Sequence, residues 1–299
     1  MDNKTLYVEE YLDKIKSLFL NEKYKEAIDE VNKCEELIFD DAVSFKENEN
    51  KEKSEIVGVY DYFNSFSIVK QVKSDEKLMF NCKDHYKHIL KNKPDRSYDG
   101  IDNWFNYEDN IDTITISGRV KLKIPLNKLA AVFKENESLS KRMSNIEKQK
   151  NLKQISENRF IGEVFLKMPL TISNREFLLE GFGEYCKKDK ILMLYFKSPL
   201  KDEFDYPESK EYVRMNVNFG FYFFKYLNED ESELITCINS NPLLKGVPNF
   251  VVNDIMKSNG YELLKDIREA INDKNFMKNI DDLIETNEEY KKIKNELMN

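Results

Sequence analysis

The sequence predicts an α+β protein in which an antiparallel β-sheet is followed by one long helix, with a helical extension at the N-terminus. Apolar residues repeat at helical spacing over the first forty residues, and they alternate with polar residues from Ile114 onward. A long helical pattern returns after Pro248. A run of strands followed by a helix is typical of the α+β class.

The first forty residues are predicted to form an amphipathic helical hairpin. One stripe comprises Val8, Tyr11, Leu12, Ile15, Leu18 and Phe19, and the second comprises Tyr24, Ala27, Ile28, Val31, Cys34, Leu37 and Ile38. The hairpin resembles a single tetratricopeptide-like unit, but one helix pair cannot bury its own apolar face, so an extension docked on the main domain is favoured. The charged segment Lys46 to Glu55 is the predicted linker, and a further helix is centred on Lys73 to Lys91.

From Ile114 to Ile124 the two-residue alternation predicts a half-buried strand, which Pro125 ends before a short helix over Leu126 to Phe133. Further strands are predicted at Phe160 to Met168, Glu176 to Tyr185, Ile191 to Phe196, Tyr212 to Tyr226 and Leu234 to Ser240. Their short joins indicate a meander. The last helix is predicted from Val251 to Ile271 with a bend at Gly260, and the tail from Asp273 keeps helical spacing, either extending that helix or forming another.

Composition and charge exclude several function classes. The net charge is -8, and Lys and Glu are interspersed, which argues against a nucleic-acid partner. Without a long apolar run or a signal-peptide core, we expect a soluble cytoplasmic protein. The cysteines show no paired spacing, and Cys82, His85 and His88 match no common zinc signature, so neither a metal nor a cofactor is predicted.

The sequence also contains no phosphate loop, nucleophile elbow or zinc-protease helix, which favours a non-enzymatic binding protein. In the strand Tyr212 to Tyr226, the polar positions Arg214, Asn216, Asn218 and Tyr222 alternate with an apolar face. That face could be a filled core, which the pattern alone favours. It could instead line a lipid cavity in which a few polar groups orient a headgroup.

Three motifs resemble the START (steroidogenic acute regulatory protein-related lipid transfer) family, in that family's order. The segment Lys167 to Phe177 resembles its strand break before Ser-x-Arg-Asp-Phe, and Tyr212-Val213-Arg214 resembles its Val-Ile-Arg strand opening. The segment Asn241 to Asn253 is similar to the residues that begin the family's last helix, although Phe250 replaces its Trp. The likeness covers about residues 70 to 272, so we expect a helical extension at 1–69, a START-like domain at 70–272 and a helical tail at 273–299.

The resemblance implies a helix-grip fold, a curved antiparallel sheet wrapped around a long C-terminal helix, with a lipid-sized tunnel between them. It implies a lipid ligand, transient contact with a membrane surface and intermembrane transfer. A tunnel needs a lid, and the last helix and the loop from Lys201 to Glu211 are the candidates. Gly181 stands where sterol-binding relatives carry an Arg, whereas Ser173-Asn174-Arg175 is nearer to the phosphatidylcholine-transfer branch. We therefore expect a phospholipid.

That branch holds phosphate and choline with an Arg-x-x-Trp-Asp segment after the first crossover helix. The corresponding residues 138–145 contain neither Trp nor Asp, which leaves Lys141 or Arg142 to meet a phosphate. An ion pair of Arg175 with Glu176 or Glu163 is as good an interpretation as contact with a lipid. The candidate lipid-binding residues are Lys141, Arg142, Glu163, Arg175, Tyr195, Arg214, Asn216, Asn218 and Tyr222.

Three alternatives stay open at this stage. The chain could be an interaction scaffold with a filled core, in which the N-terminal helices recruit a protein partner. It could be a lipid sensor that does not transfer its ligand. Hydrolase or cyclase chemistry in the same cavity would need a buried carboxyl group facing it, with Glu163 or Glu180 as the first candidates.

Overall fold

The structure, a computed structural model, describes residues 3–44, 59–107, 114–169, 172–201, 204–241, 243 and 249–298. The chain divides into two compact units, Met1–Phe80 with Leu200–Glu203, and Asn81–Pro199 with Phe204–Asn299. The predicted linker from Lys46 to Glu55 lies outside the described residues. The division into 1–69, 70–272 and 273–299 stays a prediction.

The first unit contains the predicted helical hairpin, which is confirmed. Helix α1 (Asn3–Leu20) and helix α2 (Tyr24–Ser44) are joined by a three-residue turn, beside which the rings of Phe19 and Tyr24 meet edge to face at 5.7 Å. Buried Glu30 joins the two helices through Lys14, 2.9 Å away, and also accepts a 2.8 Å hydrogen bond from Lys33. These interactions lower the pKa of the Glu30 carboxyl group. Helix α3 (residues 59–65) and the first part of helix α4 (Ser67–Lys91) follow.

The second unit is built on one sheet, which has ten strands in the part of the chain that the structure describes. They are β1 (Arg96–Tyr98), β2 (Ile101–Tyr107), β3 (Ile114–Leu122), β4 (Ile146–Ser156), β5 (Arg159–Leu166), β6 (Arg175–Cys186), β7 (Ile191–Lys197), β8 (Val213–Arg214), β9 (Asn216–Asn228) and β10 (Glu231–Asn241). Their order is β1-β2-β3-β10-β9-β7-β6-β5-β4, so β1 and β4 form the two edges. The pairings are antiparallel except that of β8 with β6, which is parallel.

Helix α5 (Leu126–Lys134) and helix α6 (Asn136–Ser140) link β3 to β4, and helix α7 (Asn249–Asn272) packs on β2 and β3. Two glycines permit the close approach of α7. A Cβ atom on Gly118 would lie 2.5 Å from Cδ1 of Leu264, and one on Gly260 would lie 2.5 Å from Cγ2 of Ile116. An antiparallel sheet gripped by a long C-terminal helix confirms the predicted α+β helix-grip class. Helix α7 is continuous through Gly260, the predicted bend.

The strand register separates two faces of the sheet, because paired residues point the same way. The inner face points toward α7, since Ile116 and Gly118 do. The outer face is covered by residues 81–91 of α4, where Cys82 Sγ donates to the carbonyl oxygen of Gly220 at 3.5 Å and the His85 ring stacks on Phe219 at 4.9 Å. Inner-face residues include Ile114, Ile116, Gly118, Val164, Arg175, Phe177, Leu179, Leu194, Phe196, Val217, Gly220, Tyr222, Thr236, Ile238 and Ser240.

The C-terminal tail forms two helices rather than one extension of α7. Helix α8 (Lys274–Thr286) begins at Asp273, whose carboxylate accepts hydrogen bonds from the backbone amides of Asn275 and Phe276 at 2.9 and 3.1 Å, and helix α9 (Glu288–Met298) follows. Both pack on α5. Their buried side chains Phe276, Ile280, Ile284, Tyr290 and Leu297 belong to the main hydrophobic core. None of the helices that the structure describes is both long and apolar enough to cross a bilayer.

Two sequence-based strand predictions are corrected. No strand is predicted at β4, an edge strand whose side chains are mostly exposed and whose pairing with β5 shifts register at three points, so that the two-residue alternation is lost. The strand predicted from Tyr212 to Tyr226 is interrupted at Met215. Its first part, β8, pairs with the start of β6, whereas β9 pairs with β7 and β10.

Candidate functional site

The inner face of the sheet carries an apolar wall. It consists of the buried residues Val164, Phe177, Phe196, Met215 and Val217, with the partly buried Ile146, Leu166, Leu179, Tyr222 and Ile238 packed against them. Most of these residues alternate along strands whose other side chains lie on the outer face. Beta-branched, aromatic and leucine side chains at every second position therefore produce the wall directly from the sequence.

The wall is less well covered than the opposite face of the same strands. Leu179, Leu194, Tyr222 and Ile238 are only partly buried, although they lie on four inner strands of the sheet. Their chain neighbours on the outer face, Leu178, Tyr195, Phe223 and Cys237, are buried. A close-packed interior leaves few voids. These four partly exposed apolar side chains are therefore the part of the inner face where packing within the protein is least complete.

A cavity of about 480 Å³, here called the mouth, opens between the start of β4, the end of β5 and the first half of α7. The mouth adjoins the apolar wall in sequence, because the wall residues Ile146 and Leu166 are chain neighbours of the mouth residues Asn145 and Lys167. Its lining mixes apolar and polar side chains: Asn145, Lys167, Met168, Pro169, Asp254, Ile255, Ser258 and Asn259. The mouth thus presents charged and apolar side chains in one opening.

Two hydroxyl groups on the inner face make no hydrogen bond with any residue that the structure describes. The ring of Tyr222 lies between Phe133 and Phe196, with centroid distances of 5.0 and 5.1 Å. Burial raises the pKa of its phenol to about 12. Ser240, at the mouth end of β10, is fully buried with its Oγ unpaired. Buried polar groups normally have partners, so both are suited to a polar group on a guest molecule.

Of the residues predicted to bind a lipid, Arg175 also lies on the inner face. Its guanidinium donates to the carbonyl oxygens of Ser173 and of Leu243, the latter at 3.4 Å. Burial lowers the pKa of this guanidinium. Because alternate residues leave opposite faces of β6, the side chains of Arg175 and Glu176 diverge.

Three other predicted residues, Glu163, Tyr195 and Arg214, lie on the outer face. Arg214 donates to Glu176 at 3.0 Å, and its Nη2 lies 3.9 Å from a carboxylate oxygen of Glu163. Burial, and secondly the charge of Glu176, raise the pKa of Glu163. The hydroxyl of Tyr195 donates to Glu184 at 3.0 Å, and burial raises the pKa of the Tyr195 phenol. These three groups belong to buried networks on the side away from α7.

The remaining candidates lie elsewhere. Lys141 is exposed, and Arg142 forms an ion pair with Asp273, with Nε 3.4 Å from a carboxylate oxygen. Asn216 and Asn218 are exposed, and Asn218 donates to Asn239 at 2.7 Å. The structure thus places Tyr222 and Arg175 on the same face of the sheet but eight residues apart along the strands, since Tyr222 is in register with Leu194 and Gly183. Lipid contact by any of the nine stays a prediction.

The two carboxyl groups considered for catalysis also point away from α7. Glu180 pairs with Arg159 on the outer face, and both side chains are buried, while Glu163 lies on the same side. A reaction in the inner hollow that depends on either carboxyl group is therefore not supported by their orientation.

Sequence reasoning missed Ser240, Asp254 and the mouth as a unit. Ser240 ends a strand and looks like an ordinary polar terminus, and only its pairing with Ile114 places it on the inner face. Asp254 is one of many acidic residues in the sequence. Its position in the same cavity as Lys167 depends on how α7 packs near the end of β5, which no local pattern encodes.

No protein-family model matches the sequence, and no curated protein is significantly similar to it. Solved structures are similar in fold. The human StAR-related lipid transfer protein 5 matches with a TM-score of 0.58 and 13% identity over 68% of this chain and 98% of that chain. Human STARD10 matches with a TM-score of 0.55 and 16% identity over 64% of this chain and 78% of that chain. The chain is also similar to a STAR-related lipid transfer protein from Xanthomonas axonopodis, with a TM-score of 0.50 and 16% identity over 59% and 96% of the two chains. The chain therefore shares its fold with these structures over 59–68% of its length.

Proposed function

We propose that this protein is a cytoplasmic, non-enzymatic carrier that binds a membrane lipid, specifically a phospholipid, on the inner face and moves it between membranes. The observation that carries the proposal is the apolar wall on the inner face, where five residues are only partly buried, whereas the neighbouring residues Leu178, Tyr195, Phe223 and Cys237 on the opposite face are buried. The solved structures with this fold include human and bacterial proteins whose names describe lipid transfer.

Burial of an acyl chain can provide the necessary affinity. At about 0.8 kcal/mol per methylene, one long chain contributes on the order of 10 kcal/mol before ordering costs. Tyr222 and Arg175 are the predicted site residues that we propose for contact with the guest, because they share the face of the wall. Glu163, Tyr195 and Arg214 have a structural role in this proposal, since their partners lie on the outer face.

The first half of α7 is the better of the two predicted lids. In the predicted loop from Lys201 to Glu211, residues 206–209 are held on the outer face, because the Ser209 amide donates to Glu176 at 2.9 Å and Arg214 donates to the carbonyl oxygens of Tyr206 and Pro207. Phe250, in the first turn of α7, is 69% exposed. We propose that this turn touches the membrane when a lipid enters or leaves.

The hollow can be tested with two substitutions on neighbouring residues of β6. Leu179→Trp should be tolerated, because packing within the protein is least complete there, and it should reduce bound lipid. Leu178→Trp is the matched control on the outer face, where Leu178 is 7% exposed, and overpacking there should cost about 1–3 kcal/mol. Chemical denaturation and mass spectrometry of extracted lipid measure the two effects.

Purified wild-type protein should carry phospholipid and accelerate its movement between donor and acceptor vesicles. Equal destabilisation by both Trp variants, together with an empty wild-type protein, would contradict the proposal and favour a filled interaction scaffold. Bound lipid without any vesicle transfer would identify a sensor instead of a carrier.

A further inference from the structure

We infer that the mouth recognises a zwitterionic phospholipid headgroup, with Lys167 facing the phosphate and Asp254 facing the ammonium group. The inference rests on the proposed lipid-carrier function and assigns the headgroup subsite within it. The mouth presents one positive and one negative side chain from different elements, Lys167 after β5 and Asp254 on α7, around a cavity of about 480 Å³.

The two charges are available to a ligand. Neither Lys167 nor Asp254 forms an ion pair or a side-chain hydrogen bond with any other residue in the described ranges. Both side chains are exposed, so that a headgroup held between them stays in contact with water. A phosphate and an ammonium group separated by a short linker present the complementary pair of charges.

Hydrogen bonds fix the segments that carry Lys167 and Asp254. The backbone amide of Lys167 donates to the carbonyl oxygen of Asn145 at 2.9 Å, and that of Met168 donates to the Asn174 side chain at 3.0 Å. Across the opening, Asn145 donates to Asn259 of α7 at 3.1 Å. The subsite is therefore formed without a ligand, which lowers the ordering cost of binding.

Among the described strand residues, the inner face offers no charged side chain near the mouth other than Arg175. The outer-face groups Glu163, Glu176 and Arg214 point away from the wall, and Arg175 already donates to two backbone carbonyl oxygens. The mouth also supplies Met168, Pro169 and Ile255 as apolar contacts for the glycerol and the first methylenes. A lipid with its headgroup in the mouth would thus place its chain along the wall.

A competition experiment tests the assignment. The full-length chain is incubated with vesicles that contain equal amounts of phosphatidylcholine, phosphatidic acid and diacylglycerol with identical acyl chains, and the lipids retained after separation are quantified by mass spectrometry. Lys167→Gln should lower both phosphate-bearing lipids relative to diacylglycerol by about three- to fivefold, the range of a water-exposed ion pair. Asp254→Asn should lower phosphatidylcholine relative to phosphatidic acid by a similar factor.

Lys278→Gln and Glu285→Gln, on the exposed surface of α8, are the charge-matched controls and should leave the ratios unchanged. Lipid-loaded variants with wild-type ratios would overturn the headgroup assignment while leaving the carrier intact. An equal increase in uptake of all three lipids by both mouth variants would also overturn it, since it would show that the two charges close the mouth. An empty wild-type protein would overturn the carrier and this assignment together.

Discussion

The guanidinium group of Arg142 lies over the ring of Phe276, 4.3 Å from its centroid, and its Nε lies 3.4 Å from a carboxylate oxygen of Asp273. Asp273 in turn caps α8 through two backbone amides. Arg142 therefore joins the loop after α6 to the beginning of the C-terminal tail, and its charge and its planar face are both used within the protein.

Arg142→Gln should lower the free energy of unfolding by about 0.5–1 kcal/mol, the usual range for a cation over an aromatic ring near the surface. It should leave the ratio of bound lipids unchanged. Lys141→Gln is the matched control, because Lys141 is exposed next to it, and should change neither quantity. A shift in lipid composition without a loss of stability would instead support the phosphate contact predicted from the sequence.

Glu163→Gln should stabilise the protein at neutral pH, because burial and Glu176 raise the pKa of Glu163 in the folded state. When the pKa of an acid is higher in the folded protein than in the unfolded chain, its ionisation destabilises the folded state at pH values above the folded-state pKa. This destabilisation is absent at pH values below the pKa of the unfolded chain. The stabilisation by Glu163→Gln should therefore decrease as the pH falls from 7, through the folded-state pKa of Glu163, toward 4. Urea unfolding at several pH values measures it, and Glu285→Gln is the exposed control. A gain that grows on acidification would contradict the explanation.

Gly260→Ala should destabilise the second unit by about 1–3 kcal/mol, since the new methyl group collides with Ile116 and forces α7 away from β3. The helix propensity of Ala acts in the opposite direction by about 1 kcal/mol. Ile116→Ala removes the obstructing Cγ2 atom, so the double variant should be more stable than the sum of the single effects predicts. If the effects of Gly260→Ala and Ile116→Ala on the free energy of unfolding simply add, the contact between residue 260 and Ile116 does not cause the loss of stability.

Arg159 and Glu180 form a buried ion pair on the outer face, and both side chains are at most 5% exposed. Arg159→Met alone should cost about 3–5 kcal/mol, because it leaves the Glu180 charge buried without its main partner. The double variant Arg159→Met with Glu180→Leu should recover most of that loss. Thermal unfolding distinguishes the outcomes, and a double variant as unstable as the single one would show that other partners of the pair dominate.

The sequence was sufficient for the class of fold because local patterns set most of its elements. The alternation from Ile114 marks β3, although its polar residues Thr115 and Ser117 are also buried, so the strand is not half-buried as predicted. The helical stripes of α1 and α2 each follow one buried face, and a buried face leaves a regular trace in the sequence. β4 leaves no such trace. It is polar along its length and irregularly paired, so tertiary pairing with β5 determines it.

The candidate site was less predictable, for a geometric reason. Arg214 and Tyr222 appear on the same side of one continuous strand in the sequence, but Arg214 lies on the outer face and Tyr222 on the inner one, because the pairing of β9 with β10 shifts register between Val217 and Phe219. A one-residue break reverses every later side chain. The mouth requires β4, β5 and α7 to meet, and contacts that distant in sequence have no local signature.

The irregular edge strand β4 also has a consequence for solubility. Lys148, Lys150 and Lys153 project from it, and its register shifts break the even spacing of its backbone amides. An open sheet offers free hydrogen-bonding groups to any extended peptide, including a strand from another copy. Clustered positive charge and uneven spacing oppose such docking along this edge of the sheet.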